Sequence, residues 1–392
     1  MKKVRVPAFA FFLFVAHISS SATDFVFPES KDLSEYVDFP GGLQIHRDCI
    51  HRTEPDNVAE TDSNPPLPFW NKRERRLLSR STPNSAAATH TVSSPPMTDL
   101  LHTPCPFPVR RRKSVTEASE GNAAETGGTK PSGLGYYSTW VAYASFTSPT
   151  PLTNFTSEWT VPPLPPHRNP LTTTFFFNGI EDKVPGELPQ TYIIQPVLQT
   201  GQSGCLPFGF TSKWHFTSYY VNAGGRAFCG KVLPVSEGDR LVGRMFRLDG
   251  GDGDGVSRSN AERWRVEGEV LNRPKQKTTV IDVDLPIGTP RWAALSMEVI
   301  RCYSCGAYPA NEKVLFEQPL LEAVAESEED REEEKETSET GGGRVRVTPS
   351  WEVTVTHDEC GQAVELLGES EGHAVAIRYQ SGENREVSEE LA

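Results

Sequence analysis

The stretch Tyr192-Ile193-Ile194-Gln195-Pro196-Val197-Leu198-Gln199-Thr200-Gly201 decides how the chain reads. Aromatic and β-branched residues crowd it and Gly201 closes it, which is the pattern of a β-strand. Side chains alternate between the two faces of a strand. Ile193, Gln195, Val197 and Gln199 therefore share one face, and Tyr192, Ile194 and Leu198 the other. A buried carboxamide without partners costs a few kcal/mol. Two of them on one apolar strand face either satisfy each other and the backbone, or line a wet cleft.

Outward from this strand the same texture continues. Short strands separated by Pro, Gly and polar turns are expected at Thr139–Phe146, Asn154–Val161, Thr172–Asn178, Thr191–Gln199, Trp214–Val221, Lys231–Pro234, Arg240–Leu248, Arg263–Leu271, Thr278–Val283 and Trp292–Cys302. Trp351–Thr356 and Ala374–Tyr379 add two more. Few segments carry a helical period, so the pattern predicts an all-β, antiparallel β-sandwich or jelly roll. It is expected to fill residues 131–392 as one domain, interrupted by an acidic, disordered insertion at 325–343. Within Ala325–Thr340 stand nine acids against two bases, a local net of −7 in a chain whose formal net charge is −13. Such a block is a solvated insertion rather than an acidic site. The acidic balance argues against nucleic acid as a partner.

The N-terminus reads as a secretory signal over residues 1–22. Lys2, Lys3 and Arg5 precede an apolar run from Val6 to Ile18, and Ser20-Ser21-Ala22 supplies a small-residue cleavage site. No later stretch is apolar enough for a membrane helix, so no stable membrane insertion is expected after signal removal, and the protein is placed outside the cell or in the secretory lumen. Residues 23–130 read as a disordered, low-complexity leader, rich in Ser, Thr, Pro and Asn, with the character of a propeptide. Two basic clusters mark it, Lys72-Arg73-Glu74-Arg75-Arg76 and Arg110-Arg111-Arg112-Lys113, so processing is expected after Arg76 or Lys113. Seven cysteines (Cys49, Cys105, Cys205, Cys229, Cys302, Cys305 and Cys360) are disulfide candidates in that compartment, and the odd count leaves one over. Asn154-Phe155-Thr156 is a glycosylation sequon.

No cofactor and no metal are called for. Cys302-x-x-Cys305 lacks a second pair at zinc spacing, the histidines show no HExxH, and the Gly/Asp run Asp249–Gly255 lacks the twelfth-position Glu of a calcium loop. There is no G-x-S-x-G elbow. The remaining chemistry is that of a carboxylate and a carboxamide. Glu298 lies inside Ala294-Leu295-Ser296-Met297-Glu298-Val299-Ile300, sharing a face with Trp292, Ala294, Ser296 and Ile300. Facing a cleft, such a carboxyl can take a proton from water and return it to a leaving nitrogen. A carboxamide N–H can hold the oxyanion that develops in between. Facing solvent, or paired with an Arg, the same Glu is merely structural. Trp140, Trp159, Trp214, Trp264 and Trp292 read as sandwich core.

Five segments follow one another in order: Phe176-Phe177-Asn178-Gly179-Ile180-Glu181-Asp182, Val197-Leu198-Gln199-Thr200-Gly201, Trp214 to Tyr220, Ser236-Glu237-Gly238-Asp239-Arg240-Leu241 and Leu295-Ser296-Met297-Glu298. This succession resembles the glutamic peptidases (eqolisins), secreted acid endopeptidases with a concanavalin-like β-sandwich. The resemblance spans roughly residues 136–310 and, more faintly, 350–380. It implies that Gln199 is the oxyanion-stabilising Gln and Glu298 the catalytic Glu, with Gln195 competing for the first role. It also implies a protein or peptide substrate and a cleft to which Gln195, Asn178, Glu181 and Trp214 contribute. The family's cleft tryptophan is replaced by Phe177, and its Tyr-Asp-Ala-Trp-Tyr segment by Lys213-Trp214-His215-Phe216-Thr217. The competing expectation is a secreted module that binds glycans or proteins without catalysis, since such sandwiches host lectins and glucanases too. A glucanase would need paired carboxylates across one cleft. Glu181, Asp182 and Glu298 are the set available for that.

Overall fold

The computed structural model describes residues 36–39, 43–52, 105–107, 110–111, 137–167, 172–182, 192–201, 203–205, 213–222, 224–248, 261–273, 277–325, 344–368 and 374–382. The signal-like residues 1–22, the first basic cluster, the Asp249–Gly255 run and the acidic stretch from Glu326 to residue 343 lie outside them. Among the described residues there are twenty strands, two short 3-10 turns and no α-helix. Four short strands come first: β1 (Tyr36–Phe39), β2 (Leu43–His46), β3 (Ile50–Arg52) and β4 (Arg110–Arg111). Then follow β5 (Tyr137–Thr147), β6 (Leu152–Thr160), β7 (Thr173–Glu181), β8 (Tyr192–Thr200), β9 (Trp214–Asn222), β10 (Ala227–Cys229), β11 (Leu233–Val235) and β12 (Arg240–Arg247). The last eight are β13 (Ala261–Val270), β14 (Lys277–Pro286), β15 (Trp292–Cys302), β16 (Lys313–Val324), β17 (Arg344–Val347), β18 (Glu352–Val355), β19 (Ala363–Leu367) and β20 (Ala374–Arg378).

These strands form a β-sandwich. One sheet runs β18-β5-β15-β7-β8-β9-β10-β3, with β11 also on β9. The other runs β14-β13-β12-β6-β16-β20-β19, with β17 on β16. The core strands pair antiparallel, whereas β3 joins β10 in parallel. Between the sheets, Phe176, Ile194, Leu198 and Phe216 of the first pack against Phe155, Trp159, Met245 and Trp264 of the second. Burial of this apolar surface is the main term holding the layers together. The layers approach so closely at Gly243 that an added Cβ would sit 2.4 Å from both Pro196 and the Asn178 side chain.

The opening strand is β8, bounded within a residue of the expected limits and buried on both faces. Gly201, at φ 95°, turns the chain out of it, a conformation that residues with a Cβ rarely adopt. Pro196 has no N–H to give the ladder. The β7–β8 register accordingly passes from Phe177↔Val197 to Ile180↔Ile194 without pairing Asn178 and Gly179 opposite it. The strand β15 has the limits expected for it.

Four strands of the body are not evident in the sequence pattern. In β16, Pro319 and alternating charges mask the pattern. The register shift between Glu317 and Leu320, with Gln318 at φ 49°, absorbs the proline as a bulge. β10 and β19 are three and five residues long, and β17 closes a hairpin with β16 through Val324↔Arg344. The acidic run thus joins the ends of two paired strands.

The leader departs from expectation. Disorder is expected to residue 130, yet among the described residues β1, β2 and β4 form a three-stranded sheet within it and β3 extends the large sheet. Strands of two to four residues carry no legible period. Their order comes from long-range pairing and from the Cys49–Cys105 disulfide, which spans 56 residues. Cys205–Cys229 and Cys305–Cys360 complete the pairing, and Cys302 is the buried cysteine left over.

Candidate active site

The face of the nine-stranded sheet that points away from the sandwich core carries the two residues of interest. On β8, Ile193 and Val197 belong to a second apolar cluster with Phe175, Phe177, Tyr219 and Ile300, while Ile194 and Leu198 belong to the inter-sheet core. Alternation therefore puts Gln195 and Gln199 on the second cluster's side. On β15, Leu295, Met297 and Val299 face the core and Ile300 the second cluster, so Ser296 and Glu298 turn to the same side as the glutamines.

Register then brings the pair into one row. Glu298 lies opposite Phe175 of β7, and Phe175 lies opposite Gln199 of β8. Two strand spacings separate their backbones, about 10 Å in all, with both side chains rising from the same face. Glu298, Phe175 and Gln199 have no exposed surface. Residues roughly a hundred positions apart in sequence are neighbours but one across the sheet.

The Gln199 amide is held at one end. Tyr219 Oη donates to Gln199 Oε1 at 2.9 Å. Ser203 Oγ lies 2.7 Å from Tyr219 Oη and accepts from the Cys205 N–H at 3.2 Å. Cys205 is itself bonded to Cys229 on β10. Burial pushes the Tyr219 phenol far above its ordinary range, against the opposing pull of its bonds to Ser203 and Gln199, so it remains a donor at every working pH. With its oxygen occupied, Gln199 presents Nε2, which is buried without a partner. The same face holds other buried polar atoms without partners: both amide atoms of Gln195, Ser296 Oγ and Trp140 Nε1. Most buried polar groups in folded proteins are bonded, so these atoms are available to a polar partner on this face.

Aromatic rings flank the row. Trp140, which lies opposite Glu298 on β5, stands 5.6 Å from Trp292, 5.4 Å from Phe177 and 5.4 Å from Tyr143, centroid to centroid. Trp140 and Trp292 are therefore not in the sandwich core, contrary to expectation, while Trp159, Trp214 and Trp264 are.

Two of the expected cleft residues belong elsewhere. Asn178 has the opposite parity to Phe175 and Phe177. It points into the sandwich, where Nδ2 donates to the Gly243 carbonyl at 3.2 Å. Trp214 packs in the core against Phe176 at 6.0 Å, with its Nε1 donating to the Pro163 carbonyl at 3.4 Å. Glu181 does share the parity of Phe175, but it pairs with Ile193 and Trp292 six positions along β7, about 20 Å from the Glu298–Gln199 row. Gln195 is on the face, opposite Tyr219. Asn154 is half-buried on the outer face of the other sheet, and its Oδ1 accepts from Thr156 Oγ1 at 3.3 Å. Among the described residues no cluster of His, Cys, Asp and Glu has the makings of a metal centre.

Tyr219 and Ser203 were not singled out from the sequence. Tyr219 stands among three other aromatics between Trp214 and Tyr220, and nothing local marks the one whose hydroxyl reaches Gln199.

No family model matches the chain, and no curated protein matches it. Among solved structures, scytalido-glutamic peptidase with a peptide-based transition-state analogue is similar at 13% identity and a TM-score of 0.36, covering 62% of this chain and 99% of that one. A peptidase of the Eqolisin family in complex with the tripeptide Ala-Ile-His is similar at 14% identity and a TM-score of 0.33, again over 62% of this chain and 99% of that one. A likeness this slight assigns no residue.

Proposed function

We propose that the protein is a secreted acid endopeptidase in which Glu298 and Gln199 form the catalytic pair. The observation that carries this is the lateral row Glu298–Phe175–Gln199, with the Gln199 oxygen bonded to Tyr219 and its Nε2 left to donate. A scissile peptide laid over Phe175 meets a carboxyl on one side and an amide donor on the other. Glu298 as carboxylate takes a proton from a water that attacks the carbonyl carbon. Gln199 Nε2 donates to the oxygen as it gains charge, a contribution of about 3 kcal/mol for a fixed donor. Glu298, now protonated, gives that proton to the leaving nitrogen, and the C–N bond breaks. One water is consumed and the carboxyl ends as it began.

Tyr219 is a positioning residue in this scheme. By occupying Oε1 it fixes which end of the Gln199 amide faces the substrate, so little reorganisation is needed as charge develops. The partnerless Gln195 amide, Ser296 hydroxyl and Trp140 indole N–H are placed to bond an extended peptide backbone, and the Trp140–Phe177–Trp292 rings to receive apolar side chains. Three disulfides suit an oxidising compartment.

The test is digestion of an unfolded protein substrate near pH 4 by chain freed of residues 1–113. Cleavage that disappears in Glu298→Gln is expected. Cleavage that persists in that variant, or a complete lack of it in the parent, rejects the proposal.

A further inference from the structure

The Gln199–Glu298 face is not open. Val37, Phe39, Ile45 and Cys49 of the N-terminal segment belong to the same apolar cluster as Phe175, the residue between the pair. The Phe39 ring lies 5.8 Å from that of Tyr219, which holds Gln199. Gly204, between Ser203 and Cys205, is so closely covered that an added Cβ would sit 2.5 Å from Phe39 and 2.6 Å from Val37. The segment is fastened at its margins too. β3 lies alongside β10, the Cys105 N–H donates to the Gly224 carbonyl at 2.8 Å, and Arg226 Nη1 donates to His51 Nε2 at 2.8 Å.

The covalent wiring separates this cover from the body. All three of its sheet strands, β1, β2 and β4, precede Arg112. Cys49–Cys105 closes it on itself, while Cys205–Cys229 and Cys305–Cys360 lie wholly beyond it, so no disulfide crosses Lys113. The first basic cluster, Lys72–Arg76, falls inside the loop that Cys49–Cys105 closes, and the second, Arg110–Lys113, falls after it.

We propose that the site face is an interface for the described N-terminal strands of the same chain, between residues 36 and 52 and around 105–111, which act as a detachable cover, and that the two basic clusters are unequal as release points. Hydrolysis of one peptide bond at 72–76 leaves both fragments joined through Cys49–Cys105 and the cover in place. Hydrolysis at the second cluster leaves only non-covalent contacts, and the cover can depart as one disulfide-closed unit. The chain then exists in a covered, single-chain form and an open form produced by one particular cut. As a regulation of the Glu298–Gln199 site this rests on the peptidase reading, but the physical covering does not.

The experiment uses the full chain with a site-specific protease sequence placed either between Arg76 and Cys105 or after Lys113. Glu298 exposure is read without catalysis, by carbodiimide-driven amine coupling at pH 5 and peptide mapping. After the cut beyond Lys113, the cover is expected to separate on gel filtration and coupling at Glu298 to rise at least tenfold. After the cut before Cys105 neither is expected, unless Cys49→Ser and Cys105→Ser remove the staple. Phe39→Ala, in a chain whose melting shows it folded, is expected to raise coupling without any cut. Equal coupling in uncut and cut chains, or an equal rise from either cut with the staple intact, overturns the proposal. Coupling that rises while no Glu298-dependent cleavage appears upholds the cover and rejects the peptidase. Glu298-dependent cleavage by the uncut chain at the rate of the cut one rejects the cover and upholds the peptidase.

Discussion

The two sheets of the sandwich share a core but have opposite outer faces. That of the eight-stranded sheet is ruled with ion pairs: Arg240–Glu158 at 2.8 Å, Arg244 to Glu267 and Glu269 at 2.9 and 2.6 Å, and Arg265–Asp282 at 2.8 Å. Each of these carboxylates has a cation beside it. The outer face of the nine-stranded sheet has a buried carboxyl, two buried glutamines, an aromatic cluster and a disulfide-stapled segment over it. A sheet face needs only charge and alternation to stay soluble. On the proposed reading the second face carries the activity and the first only solubility, so substitutions in the two faces should divide accordingly between activity and stability.

The largest expected effects fall on the covered face. Glu298→Gln removes the group that moves the proton, and kcat should drop by about 10²- to 10⁴-fold. Gln199→Ala removes the oxyanion donor and should cost about 10²- to 10³-fold in kcat with little change in KM. Tyr219→Phe keeps the ring and frees the Gln199 oxygen, for an expected loss of about tenfold in kcat and about 1 kcal/mol of stability. A Tyr219→Phe chain with full kcat would show that the amide needs no positioning. Between the sheets, Gly243→Ala should lower stability by about 1–3 kcal/mol through overpacking. Denaturant unfolding of the variant measures it, and an unchanged midpoint would mean that the layers can part at no cost.

Smaller effects are expected from pH. His51 is held below its ordinary value of 6.5, first by burial and then by the Arg226 charge. It packs on Phe228, with Arg226 as its partner and Arg52 next to it in the chain. A depressed histidine supports the bound state while neutral. The hold of the cover should weaken as pH falls below 6.5 and go on weakening until the lower bound-state pKa is passed. Gel filtration of the cut chain from pH 7 to 4 reads this, and His51→Phe should flatten the profile. On the charged face, Asp282 is held below its ordinary value of 3.8, chiefly by its bond to Arg265. Its support is present above 3.8 and is lost only as pH falls through the lower folded value, so the Asp282–Arg265 pair outlasts a fall to pH 3.8. Asp282→Asn should cost less than about 1 kcal/mol and leave activity unchanged. A loss of activity there would blur the distinction between the faces.

Much of this was legible from residue order alone. Alternation in Tyr192–Thr200 and Trp292–Cys302 placed Gln199 and Glu298 on definite faces, and the boundaries of these two strands were legible to within a residue, whereas β7 and β14 run three residues beyond their expected ends. The same alternation, followed along β7, would have turned Asn178 inward, because Phe177 and Asn178 cannot face the same way. What the sequence withheld is non-local. The row Glu298–Phe175–Gln199 depends on β7 lying between β15 and β8, and the Ser203–Tyr219–Gln199 chain depends on a loop pinned by Cys205–Cys229. The cover is built of strands too short for any period, and only long-range pairing reveals them.

On the proposed reading Glu298 and Gln199 act as one unit across Phe175. A double-mutant cycle on kcat/KM tests it most directly, with chain cut after Lys113 in the parent, Glu298→Gln, Gln199→Ala and the double variant. Groups that serve one transition state are strongly non-additive, so the double variant should be no more than a few-fold slower than Glu298→Gln alone. Losses that multiply through to the double variant, or parent-like turnover in either single variant, would contradict the account.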